Sequence, residues 1–172
     1  MTRNAIMPAP SKVSSTSARV FVADVSGSMA GRKFERLKES LRRTIDETGA
    51  AILAFNHVAR WCPSIDHLPS PDGSTNLGDA FRTAAERFPA EVIVISDGCP
   101  DDEGDALRAA SFIPGTISCI FVGEDDSGRG MEFMRKLARL GGGEAIHRDL
   151  TKASSIEADV RGMLALDKPI AL

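Results

Sequence analysis

Nowhere in this 172-residue chain is there an apolar run long enough to cross a bilayer, which takes about 20 residues. The N-terminal stretch "MTRNAIMPAPSKVSSTSA" lacks the apolar core of a secretory signal, and Pro8 and Pro10 interrupt it. No C-x-x-C pair occurs, and the three cysteines Cys62, Cys99 and Cys119 are widely spaced and odd in number. That pattern speaks against a disulfide framework and reads as reduced thiols, so the expected compartment is the cytoplasm. An excess of positive charge is missing as well. The net charge of -3 argues against general nucleic-acid affinity, which depends on neutralising phosphates with Lys and Arg. Neither G-x-G-x-x-G nor G-x-x-x-x-G-K-[ST] is present, which weakens a phosphate-cradling reading, and no internal repeat is visible.

What remains is an ordinary globular composition, 42% hydrophobic and 26% charged. A chain of this length forms one domain and buries roughly two-thirds of its unfolded surface without needing staples. Residues 1–17, rich in Ser, Pro and Lys without periodicity, are expected to be a flexible lead-in. Residues 18–166 carry the domain, and 167–172 form a short tail.

Strand-like and helix-like segments then alternate. "ARVFVADV" is a β-branched and aromatic run, and Phe34, Leu37, Leu41 and Ile45 follow helical spacing up to Gly49. "AAILAFN" and "VARWC" are close enough for a hairpin. Leu77, Phe81, Ala84, Ala85 and Phe88 mark a second helix stopped by Pro89, and "EVIVIS" reads as a strand covered on both faces. A short acidic helix, the strand "TISCIFVG", a helix ending at Gly141-Gly142-Gly143, a strand "EAIHR" and a last helix follow. This alternation predicts a three-layer α/β/α, doubly wound, mostly parallel sheet with one antiparallel edge strand. Ligands of such sheets bind beyond the carboxyl ends of the strands. The loops to inspect are therefore 24–32, 63–76, 97–105 and 123–130.

The first of these opens with "DVSGSM". A nucleophile elbow, G-x-S-x-G, fails because Ser26 and Ala30 flank Ser28. A D-x-D phosphatase start fails because Ser26 replaces the second acid. A metal seat does better, since Asp24, Ser26 and Ser28 alternate and a curved loop can aim alternate oxygens at one point. Carboxylate and hydroxyl oxygens are hard donors suited to Mg²⁺ or Mn²⁺ rather than zinc. Further ligands are expected from Thr75 in "DGSTNLGDAF" and Asp97 in "VIVISDG". Taken singly, Asp24, Ser26 and Thr75 also read as helix caps, and Asp97-Gly98 as turn chemistry. His57, His67 and His147 are dispersed, Met131 and Met134 suit helix packing, and Trp61 suits the hairpin.

D-x-S-x-S after the first strand, a Thr turn before a helix and an Asp-Gly closing an apolar strand resemble the von Willebrand factor type A domain. The resemblance runs from about Ala18 to Leu166. It implies a Rossmann-like fold with a metal-ion-dependent adhesion site made of Asp24, Ser26, Ser28, Thr75 and Asp97. It further implies that the hydroxyls bind the ion directly, that the aspartates act partly through water, and that a partner's Asp or Glu fills the open position. Two departures stand out: Ser74 replaces a family glycine, and Ser96 replaces a family threonine.

The expected function is a metal-dependent protein-interaction module, not an enzyme, working without nucleic acid or membrane. The resemblance is to small cytoplasmic, bacterial-type members of the family, which implies partners such as components of ATPase-type machines. Asp101, Asp102, Glu103, Asp105, Glu124, Asp125 and Asp126 are expected to make the site's rim acidic, favouring a partner acid surrounded by bases. Two rivals stay open. One is an Mg²⁺-dependent hydrolase or phosphotransfer enzyme using Asp24, Asp97 and Asp101 or Asp102. The other is a metal-free scaffold with a vestigial site.

Overall fold

A computed structural model describes residues 19–124, 128–148 and 155–165. The expected lead-in and tail, and the rim acids Asp125 and Asp126, lie outside the described residues. The alternating segments form a six-stranded sheet in the order β3-β2-β1-β4-β5-β6. Its strands are β1 (Arg19–Asp24), β2 (Ala51–Phe55), β3 (Ala59–Cys62), β4 (Glu91–Ser96), β5 (Thr116–Val122) and β6 (Gly142–Arg148). All neighbours run parallel except β2 and β3, whose hairpin places one antiparallel strand at the edge.

The unbroken apolar strands are the central ones, because both of their faces are covered. Val20, Val22, Leu53, Val92, Val94 and Cys119 face one core, closed by α2 (Leu77–Ala85), α3 (Glu103–Ala110) and α4 (Arg129–Gly141). Phe21, Ala23, Ile52, Ile93 and Ile120 face the other, closed by α1 (Arg32–Thr48) and α5 (Ser155–Ala165). Met131 and Met134 are buried in the first core, as their spacing on α4 predicts. Each strand thus sends alternate side chains to opposite layers.

Helix ends follow local chemistry. Gly49 closes α1 with φ of 66° while its N–H donates to the Ile45 carbonyl at 2.8 Å, a left-handed cap that glycine takes without strain. The cap of α2 is Asn76 rather than Thr75: its side-chain oxygen accepts from the Asp79 N–H at 3.1 Å. That helix ends at Ala85, short of both Phe88 and Pro89. The last strand is longer than "EAIHR" and takes in Gly142 and Gly143. A Cβ on Gly143 would stand 2.2 Å from the Ile117 carbonyl oxygen, so only glycine lets β6 approach β5 there.

Strand order places the topological switch between β1 and β4. Chain connections leave β1 towards β2 on one side, and β4 lies on the other, with Ala23 opposite Ile95 in register. Asp24 and Ser96 therefore end adjacent strands at the crevice where ligands of open α/β sheets bind.

Candidate metal site

Asp24 ends β1 fully buried, with no solvent exposure at all. Both of its oxygens are occupied. Oδ1 accepts from the Ser26 N–H at 2.8 Å, and Oδ2 accepts from the Ser96 hydroxyl. Burial pushes the Asp24 carboxyl above its ordinary range; the Ser96 and Ser26 hydrogen bonds oppose this, and the Asp97 charge adds to it. A buried carboxylate in this state gains from any cation brought close to it.

The chain then turns through a short 3₁₀ segment, Gly27–Met29, which bends the alternating hydroxyls towards one side. Ser26 Oγ and Ser28 Oγ lie 3.1 Å apart, and Ser28 Oγ donates to Asp97 Oδ1 at 2.7 Å. Asp97 follows directly after β4. Four of the five expected ligands thus form one continuous hydrogen-bonded set at the β1–β4 switch.

Thr75 is held nearby by the backbone instead. Gly27 N–H donates to Gly73 O at 3.0 Å, and Asp72 N–H donates to Val25 O at 2.9 Å. These two bonds lay the 72–76 segment across the start of the site loop. Gly73 carries φ of 74°, and a Cβ there would stand 2.7 Å from His57 Nδ1, so this turn needs glycine twice over. Among the described residues the Thr75 side chain makes no hydrogen bond, and Ser74 is exposed rather than crowding it.

Three partners complete the arrangement. Ser96 is buried, and its hydroxyl donates to Asp24 Oδ2. Both Asp101 carboxylate oxygens accept from the Thr75 N–H at 3.1 Å, and the Asp101 N–H donates to the Thr75 carbonyl at 2.9 Å. Lys33, from the first turn of α1, gives its ammonium to Asp97 Oδ2 and to the Ser28 carbonyl at 3.2 Å. The sequence alone assigns Lys33 no role. The only available signal was its distance of five residues from Ser28, which sets it on the first helical turn facing back.

Among the described residues, no three His, Cys, Asp or Glu side chains converge as a metal cage. The cluster has a different character: two carboxylates and the hydroxyls of Ser26 and Ser28, all hard oxygens. Such donors fit Mg²⁺ or Mn²⁺, which accept few protein ligands and retain water. The Lys33 ammonium sits against Asp97.

No protein-family profile matches the chain. It is 27% identical to human inter-alpha-trypsin inhibitor heavy chain H4 over 179 aligned positions, covering 80% of this chain. The chain spans only 19% of that relative's length. Among solved structures it resembles proximal thread matrix protein 1 from the mussel byssus, with a TM-score of 0.65 and 22% identity. That likeness covers 86% of this chain and 45% of the other. It also resembles the manganese-loaded TRAP protein of Plasmodium vivax, with a TM-score of 0.58 and 17% identity. There the coverage is 81% of this chain and 71% of that one. The fold is therefore of the von Willebrand factor A type.

Proposed function

We propose that this domain binds a divalent cation through Asp24, Ser26, Ser28, Thr75 and Asp97, and offers it to a carboxylate on a protein partner. One observation carries the reading: a buried aspartate, two hydroxyls and a second aspartate are joined at the switch point of the sheet. The manganese-loaded state of the structurally similar TRAP protein supports it. Mg²⁺ or Mn²⁺ would act as a Lewis acid joining this chain to the partner's oxygen. The chain's own residues orient the donors. Ser96 fixes Asp24, Asp101 fixes the Thr75 backbone, and the Gly27–Gly73 bond keeps the two loops together.

The role is binding rather than catalysis. Ser28, the exposed hydroxyl, is engaged with Asp97 and Ser26, and no histidine ring bonds to it among the described residues. The reduced-thiol reading of Cys62, Cys99 and Cys119, all free cysteines, favours a cytoplasmic setting and a partner there such as an ATPase-type assembly. No helix among the described residues is long and apolar enough to cross a membrane.

Calorimetric titration with Mn²⁺ and with Mg²⁺ tests the ion, with the Asp24→Ala variant as control. Affinity capture from the native cell in Mg²⁺ or EDTA tests the bridge. Partners lost in both EDTA and the variant support the reading. A wild-type chain that takes up neither ion, or partners indifferent to both treatments, would sink it.

A further inference from the structure

The pole opposite the candidate metal site carries a different surface. Helices α2, α3 and α4 run antiparallel to the strands they cover, so their C-terminal ends meet at the sheet's other end. Two of the largest exposed apolar side chains stand there: Phe88, 79% exposed, follows α2, and Phe112, 73% exposed, follows α3. Leu140, 51% exposed, lies in the last turn of α4. The loops carrying the two phenylalanines touch. Thr116 N–H donates to Ala90 O at 3.0 Å, and a Cβ on Gly115 would stand 2.1 Å from that oxygen.

Phe88 also has φ of 48°, the one non-glycine residue with positive φ among those described. An aromatic residue in the left-handed region, held out into water, carries both conformational strain and exposed apolar area. The left-handed turn closes α2, the Phe88 N–H donating to the Ala85 carbonyl at 3.0 Å, but the ring itself is left in water. Beside it lies Glu86, exposed, with Arg87, Arg108 and Arg139 also exposed at the ends of the same three helices. Arg87 is fixed, its guanidinium lying 3.5 Å over the Trp61 ring.

The metal pole is the complement of this surface. Asp72, Asp101, Asp102 and Glu124 are exposed around it, and Val58, 38% exposed, offers an apolar contact on the β2–β3 turn. A ligand for that pole must bring one carboxylate, flanking positive charge and apolar area. The Glu86–Phe88 surface of a second copy has all three.

We infer that Glu86 of one copy of this chain fills the open metal position of the next, with Phe88 and Phe112 packed against its Val58 turn. This rests on the proposed metal site and names a ligand for it. Because the two surfaces differ, the contact is head-to-tail and propagates into a ring or an open filament rather than closing as a symmetric dimer.

Sedimentation velocity over rising protein concentration in Mg²⁺ and in EDTA tests this, with Mn²⁺ binding followed separately by electron paramagnetic resonance. Wild-type chains form species larger than dimers in Mg²⁺ and revert to monomers in EDTA. Glu86→Gln, Phe88→Gly and Asp24→Ala are each monomeric, while Glu86→Gln and Phe88→Gly still bind Mn²⁺. Mixing Asp24→Ala, with its tail surface intact, and Glu86→Gln, with its metal site intact, produces a one-to-one dimer that does not extend. If wild-type chains bind Mn²⁺ yet stay monomeric at every concentration, this inference is overturned while the metal site stands. Oligomers that persist in Glu86→Gln, or a mixture that stays monomeric, also overturn it. Wild-type chains that bind no Mn²⁺ overturn the metal site itself.

Discussion

Lys33 and Asp97, 64 positions apart, are bonded ammonium to carboxylate at the edge of the candidate metal site. The pair gives Asp97 a single positive charge where a divalent ion would bring two. An ion entering the site competes with this contact and is repelled by the ammonium.

Replacing that lysine by an uncharged side chain of similar length removes both costs. Lys33→Met is expected to tighten Mg²⁺ binding about tenfold, the equivalent of roughly 1.4 kcal/mol of lost repulsion. Calorimetry on wild type and variant at equal ionic strength measures the difference. Unchanged or weaker binding would mean that Lys33 supports the donor geometry more than it opposes the ion.

Asp24 presents the reverse trade. Its raised carboxyl value means that the folded chain holds the proton more tightly than the unfolded chain does. Ionised Asp24 therefore costs the metal-free fold stability at neutral pH. Asp24→Asn is expected to raise stability in EDTA by about 1 kcal/mol and to abolish the stabilisation that Mg²⁺ gives wild type. The sign fixes the pH dependence. The advantage of the variant is full above the folded value of Asp24 and fades as pH falls through it towards 3.8, where the unfolded carboxyl also protonates. Thermal melts in EDTA across that range supply the difference curve, and an advantage that grew on acidification would contradict it.

Asp101 is expected to act on the site through Thr75. Its carboxylate accepts from the Thr75 N–H, and its own N–H donates to the Thr75 carbonyl. Asp101→Ala loses the side-chain half of this clamp and should weaken Mg²⁺ binding by about three- to tenfold, or roughly 1 kcal/mol. Asp101→Asn keeps an acceptor for the same N–H and should stay within about twofold of wild type. Equal losses in both variants would assign the effect to charge instead.

Phe88 supplies a stability test independent of any partner. Relieving its left-handed backbone by Phe88→Gly returns about 1–2 kcal/mol of strain, part of which the freer unfolded glycine offsets. The net expectation is a gain of about 0.5 kcal/mol in denaturant unfolding. Phe88→Ala, which keeps the Cβ and the strain, should show no such gain.

Much of this architecture can be read along the chain. The alternation of apolar periods gives the layer order. The hairpin spacing of β2 and β3 gives the antiparallel edge, and D-x-S-x-S gives the start of the site. Local chemistry governs each of these, so nearest neighbours suffice to reveal them. The cap of α2 was less legible, because Thr75 and Asn76 are both competent caps and only backbone direction selects between them. The length of β6 is not legible because glycines usually end strands. Here they allow a close approach to Ile117 that periodicity cannot show.

The sequence alone determined which oxygens were available and that they were hard donors on loops following strands. Tertiary structure decided which of them meet. Ser96 reaches Asp24 across 72 positions through the parallel register of β1 and β4, and Lys33 on α1 reaches Asp97 across 64. Strand order is a long-range choice among packings, and no local pattern encodes it. The same packing set Phe88, Phe112 and Leu140 at one pole, two residues that follow α2 and α3 and one in the last turn of α4, which nothing in their own segments connects.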